Sequence, residues 1–153
     1  MARLRPFIEQ AETPTLAPAM LPTMYDLKSE DPEESGLPDE FHDLQPELLS
    51  ATLRLTDVNS DRIFTGTDLN LYYDLNHPQW YKRPDWFLAV GVPRLYNQQD
   101  MRLSYVVWDE GVSPAVIVEL LSPGTEKEDL GQTDAKAGKP PTKWGVYEQI
   151  LKV

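Results

Sequence analysis

The chain contains no cysteine, which excludes disulfides, thiolate metal sites and a cysteine nucleophile and fits a reducing, cytoplasmic setting. No apolar run approaches the roughly 18–20 residues that a membrane span needs. The N-terminus, Met1-Ala2-Arg3-Leu4-Arg5-Pro6, lacks the apolar segment of a secretory leader. A soluble cytoplasmic protein with no membrane partner is expected. Histidine is scarce: His42 and His77 stand 35 positions apart with no ligand-like spacing, so zinc is not expected. Basic residues are also few, 14 Lys and Arg against 25 Asp and Glu, for a net charge of −11. That balance argues against a general nucleic-acid coat. Residues 1–50 hold 3 basic against 11 acidic residues, leaving 11 against 14 for the rest. The C-terminal two thirds are thus nearly neutral, and bulk charge neither supports nor excludes contact with nucleic acid.

What is present is one domain's worth of chain. The 153 residues, 41% hydrophobic and 10% aromatic, suffice for a single core. Pro14, Pro18 and Pro22 break any helix, and Glu30-Asp31-Pro32-Glu33-Glu34-Ser35-Gly36 is a solvated acidic run. Residues 1–38 are therefore expected to form a poorly ordered, acidic, Pro-rich arm, with the folded domain at 39–153. Asp39 or Asp43 can cap a first helix carrying Phe41, Leu44, Leu48, Leu49, Leu53 and Leu55. Pro46 favours Asp43, because proline is tolerated in the first turn. Residues 62–74, rich in aromatic and β-branched side chains, read as one strand bent at Gly66. Further strands are expected at 85–91, 103–108 and 115–121. A last helix capped by Thr142 carries Trp144, Val146, Tyr147, Ile150 and Leu151. Strands bracketed by helices make an α/β or α+β domain around a central sheet.

Two of these strands each carry one acid: Pro84-Asp85-Trp86-Phe87-Leu88-Ala89-Val90 and Ala115-Val116-Ile117-Val118-Glu119-Leu120-Leu121. A carboxylate entering an apolar interior must be paired, protonated or bound to a cation. Glu119 is expected mid-strand, with apolar residues on both faces. Two carboxylates completed by water and substrate oxygens make a typical hard-cation site, suited to Mg²⁺ with Mn²⁺ as a substitute. Two plainer readings stay open: Asp85 as a strand-start or turn acid, and Glu119 as a structural partner of Arg83, Arg94 or Lys143. Lys143 opens the last helix four residues before Tyr147, so the two share a face. Ser122-Pro123-Gly124-Thr125 has the character of a phosphate-contacting turn, and Asp129 is either a turn residue or a supplementary charge.

Together, P-D-W-F-L-A-V, V-I-V-E-L-L-S-P-G-T, the aspartate at 129 and K-W-G-V-Y resemble a restriction endonuclease family abundant in cyanobacteria, within the PD-(D/E)XK nuclease superfamily. The resemblance spans about residues 39–153. It implies a restriction-endonuclease-like mixed β-sheet flanked by helices, and a Mg²⁺-dependent endonuclease hydrolysing phosphodiester bonds in DNA. It allows a homodimer. Asp85 and Glu119 become the metal-binding catalytic acids. The lysine slot two residues after the glutamate holds Leu121, and the resemblance assigns that role to Lys143, with Lys136 and Lys139 as weaker substitutes. Similar proteins continue beyond the final helix, so the domain is expected to be C-terminally shortened. A shortened domain opens a different class of reading, a non-catalytic binding or interaction module.

Overall fold

The computed structural model describes residues 23–24 and 39–153; the arm expected over 1–38 otherwise lies outside the described residues. Helix α1 (Glu40–Thr52) starts at Asp39, whose carboxylate accepts the His42 N–H at 2.9 Å while its carbonyl accepts from Asp43 N at 3.1 Å. The cap is therefore Asp39 and not Asp43. Pro46 sits inside the helix, fully buried. It forfeits one helical hydrogen bond.

The buried face of α1 is not its most apolar one. His42, Gln45, Pro46, Leu49 and Ser50 turn inward, whereas Phe41, Leu44 and Leu48 are each about half exposed. Hydrogen bonding explains the choice. The indole N–H of buried Trp86 donates to Ser50 Oγ at 2.9 Å, and Ser50 Oγ donates to Thr65 Oγ1 at 3.3 Å. A buried indole needs an acceptor, and Ser50 supplies it only if this face docks.

The fold is mixed α+β, with its strands divided between two three-stranded sheets. The first has the order β1 (Ile63–Thr67), β4 (Trp86–Val90), β6 (Val116–Val118), all antiparallel. Trp86 to Ala89 of the central strand β4 are buried in succession, as expected of a strand covered on both sides. Opposite Phe87, the chain must be glycine: a Cβ on Gly66 would lie 2.3 Å from the Phe87 ring. The second sheet has the order β3 (Tyr81–Lys82), β2 (Leu71–Tyr72), β5 (Tyr105–Val106); β2 is antiparallel to β3 and parallel to β5.

Residues 62–74, expected as one strand, thus become two strands in different sheets. The break falls at Asp68, in the left-handed region at φ 49°, and not at Gly66. The strand expected at 103–108 is short as well, passing at once into helix α2 (Val107–Glu110), which Gly111 closes at φ 71°. β6 is an edge strand and ends before Glu119, although a central position with Glu119 in mid-strand is what its apolar sequence predicts.

One cluster joins both sheets to the C-terminal helix (Gly145–Leu151): Leu71, Phe87, Ala89, Val92, Tyr105, Val146 and Leu151. That helix is π-helical. Its wider winding brings Val146 and Leu151, five residues apart, onto the core while Trp144 and Ile150 stay partly exposed. Thr142 precedes the helical residues 143–144 that lead into it: its Oγ1 accepts from Gly145 N at 3.1 Å and its carbonyl from Val146 N at 3.0 Å. Among the described residues no helix is long and apolar enough to cross a membrane.

Candidate active site

The β4–β6 register pairs Trp86 with Val118. The next residues along, Asp85 and Glu119, lie just beyond the last paired residues of this ladder. The ladder stops at this step because the Asp85 side chain takes over: Oδ2 accepts the Leu120 N–H at 2.6 Å. Asp85 therefore lies just before its strand and Glu119 just after its own, where the first sheet ends.

Glu119 is held at both oxygens. Tyr147 OH donates to Oε1 at 2.5 Å, and Lys143 Nζ donates to Oε2 at 3.0 Å. The structural partner left open in the sequence is thus Lys143; Arg83 pairs with Asp68 at 2.7 Å. Burial pushes the Glu119 carboxyl above its ordinary range; Lys143 and Tyr147 oppose that, and the charge of Asp85 adds to it. Burial disfavours the Lys143 ammonium, yet Glu119 and Asp129 outweigh it and hold the pKa above the usual lysine value. Burial, then Glu119 beside it, drives the Tyr147 phenol far up, so it remains a donor.

Asp129 is the residue that sequence reasoning undervalued. It belongs to helix α3 (Glu126–Asp129), and its side chain is 1% exposed. Oδ1 accepts from Lys143 Nζ at 2.5 Å, Oδ2 from Thr125 Oγ1 at 2.5 Å, and its carbonyl from Trp144 Nε1 at 2.8 Å. The Ser122-Pro123-Gly124-Thr125 turn is committed to this arrangement. Ser122 Oγ bonds Thr125 Oγ1 at 3.0 Å, and the Ser122 carbonyl accepts from Glu126 N at 2.9 Å. These hydroxyls position Asp129. The four-residue spacing from Thr125 to Asp129 was the available signal.

Lys143 reaches Glu119 and Asp129 from just before the last helix, whereas Leu121, in the usual lysine slot, is half exposed. Lys136 and Lys139 lie on an exposed loop. Helix α1 adds His42, whose Nδ1 is 2.7 Å from Asp39 Oδ1 and whose Nε2 is 3.3 Å from the Leu120 carbonyl. His77 is elsewhere, stacked on Trp80 and paired with Asp74.

Glu119 and Asp129 flank the Lys143 ammonium, and Asp85 joins the site through the Leu120 N–H. Among the described residues, no three His, Asp or Glu side chains converge tightly enough to cage a metal ion unaided. A hard cation here would rely on Asp85, Glu119 and non-protein oxygens. The donor chemistry fits Mg²⁺, which is commonly bound through one or two carboxylates plus water and phosphate.

No curated protein and no solved structure matches the chain. A family match covers residues 21–153, taking in both sheets, the acids, Asp129 and Lys143, and its description is putative restriction endonuclease (Uma2). The chain belongs to that family.

Proposed function

We propose that this protein is a divalent-metal-dependent DNA endonuclease. What supports the reading is that Asp85 and Glu119 follow the last pair of the β4–β6 ladder, with Asp85 bonded to the Leu120 N–H and Lys143 to Glu119. Asp85 and Glu119 would hold Mg²⁺ or Mn²⁺. Such an ion, when bound, supplies charge stabilisation at a phosphoryl oxygen and acidifies water. The chain's own residues do the rest. Asp129 and Glu119 fix the Lys143 ammonium at two points, so its charge would be preorganised for negative charge developing on a phosphate. Tyr147 fixes the rotamer of Glu119 through Oε1. Among the described residues Asp85 uses only one carboxylate oxygen, leaving the other for a cation.

The test is nicking of supercoiled plasmid by the purified chain in Mg²⁺, Mn²⁺ or EDTA. Metal-dependent conversion to open circle is expected, abolished by Asp85→Ala and Glu119→Ala. A non-catalytic binding module is the second reading, and one observation favours it: both Glu119 oxygens already carry hydrogen bonds. DNA binding without any cleavage in either metal would establish that alternative.

A further inference from the structure

We propose that His42 is a positioning residue of this site, setting the Glu119 carboxylate through the peptide unit of Leu120. The inference rests on the endonuclease reading and extends it to helix α1. β6 ends at Val118, so neither Glu119 nor Leu120 is held by strand pairing. Side chains hold Leu120 instead. Its N–H donates to Asp85 Oδ2 at 2.6 Å, and its carbonyl lies 3.3 Å from His42 Nε2. On the other edge of the imidazole, Nδ1 is 2.7 Å from Asp39 Oδ1, the same oxygen that caps α1 through the His42 N–H.

The result is a continuous chain from β4 to α1: Asp85, Leu120, His42, Asp39. It is separate from the Lys143, Tyr147 and Asp129 contacts, which reach Glu119 from its side-chain end. The His42 side chain is only 14% exposed, and its ring orientation is fixed by the helix cap. Without His42, the Leu120 carbonyl loses its partner, and the residue after Glu119 can swing about the single Asp85 bond. The pull of Lys143 then goes unopposed, and the two acids no longer present themselves to one ion.

The full chain is compared with His42→Ala, His42→Gln and Asp39→Asn. Mn²⁺ affinity is read by electron paramagnetic resonance, Leu120 amide exchange by NMR, and nicking as kcat and KM, with the urea midpoint recorded for each protein. His42→Ala is expected to weaken Mn²⁺ binding about 10-fold or more, in the range seen when a residue supporting a metal ligand is lost. It should also speed Leu120 amide exchange and lower kcat while leaving KM for DNA nearly unchanged. His42→Gln, whose amide N–H reaches the same carbonyl, should recover most of each loss. Asp39→Asn should fall between. If His42→Ala does not fold, the Gln and Asn variants carry the comparison.

Unchanged Mn²⁺ affinity and kcat in a folded His42→Ala, with wild type active, overturn this proposal alone. A His42→Gln as impaired as His42→Ala at an unchanged urea midpoint also overturns it, since that marks an imidazole acting on substrate directly. A wild type that neither binds Mn²⁺ nor nicks DNA defeats the endonuclease reading and this inference with it.

Discussion

Two buried ion-pair systems stand in this small domain, and they are built differently. Arg102 and Glu110 form a closed pair. Nε and Nη2 reach the two carboxylate oxygens at 2.6 and 3.0 Å, one further N–H on each of Nη1 and Nη2 reaches the Arg94 and Pro93 carbonyls, and the guanidinium lies 4.3 Å from the centre of the Phe64 ring. One charge answers one charge, and every donor named there is satisfied. Around Lys143 two carboxylates, Glu119 and Asp129, share one ammonium, and Asp85 bonds the adjoining Leu120 N–H. A balanced, bidentate, stacked pair is what structural support requires. A cluster with more carboxylates than cations suits a hard-cation site.

Breaking each system should therefore have a different signature. Arg102→Ala leaves Glu110 buried and alone, and it should cost about 3–5 kcal/mol of stability by urea denaturation. Its residual metal response should be intact wherever the protein remains folded. Lys143→Ala should lower metal-dependent nicking by about 10²–10³-fold, the usual loss when a preorganised charge-stabilising group is removed. The metal-induced rise in melting temperature should survive, because lysine does not ligate metal. A Lys143→Ala variant that loses both would place the ammonium in folding and not in chemistry.

A smaller effect sharpens the comparison from the α1 side. Burial works against the charge of His42, but the bond to Asp39, the Leu120 carbonyl and the nearby Asp85 outweigh it, so its pKa lies above the ordinary 6.5. A raised basic pKa gives stability that is full below 6.5 and is lost as pH rises through the folded-state value. Wild type should thus lose stability relative to His42→Gln on titration upward from pH 6.5; parallel curves would remove the charge from His42.

The smallest effect lies in the core. Among the described residues the buried Tyr73 hydroxyl has no hydrogen-bond partner. Tyr73→Phe should be neutral or stabilising by up to about 1 kcal/mol, because it removes an unpaired buried polar group. A clear loss of stability by thermal melt would reveal a partner for that hydroxyl.

Much of the site was legible because burial makes a carboxylate conspicuous. Asp85 and Glu119 stood out as the single acids in otherwise apolar runs, and both lie at strand ends. Their meeting at one end of the sheet was not legible, since it depends on the antiparallel register between segments some thirty residues apart. Lys143 was readable through the K-x-x-x-Y resemblance, not from its neighbours, which gave no sign that Asp129 would fold back onto it. The face of α1 was misread for a physical reason. Apolar counting favours Phe41, Leu44 and Leu48, whereas the indole of Trp86 selects Ser50. The split of 62–74 into two sheets turns on one left-handed residue, Asp68, whose conformation no periodicity encodes.

The central claim is that Asp85 and Glu119 form a divalent-cation site, and calorimetric melting with and without Mn²⁺ tests it most directly. A ligand bound only by the folded state stabilises it by about 2.7 kcal/mol at a hundredfold excess over its dissociation constant. Wild type should show a saturable rise in melting temperature that Asp85→Asn and Glu119→Gln both abolish. No rise in wild type, or the same rise in all three proteins, would contradict the account.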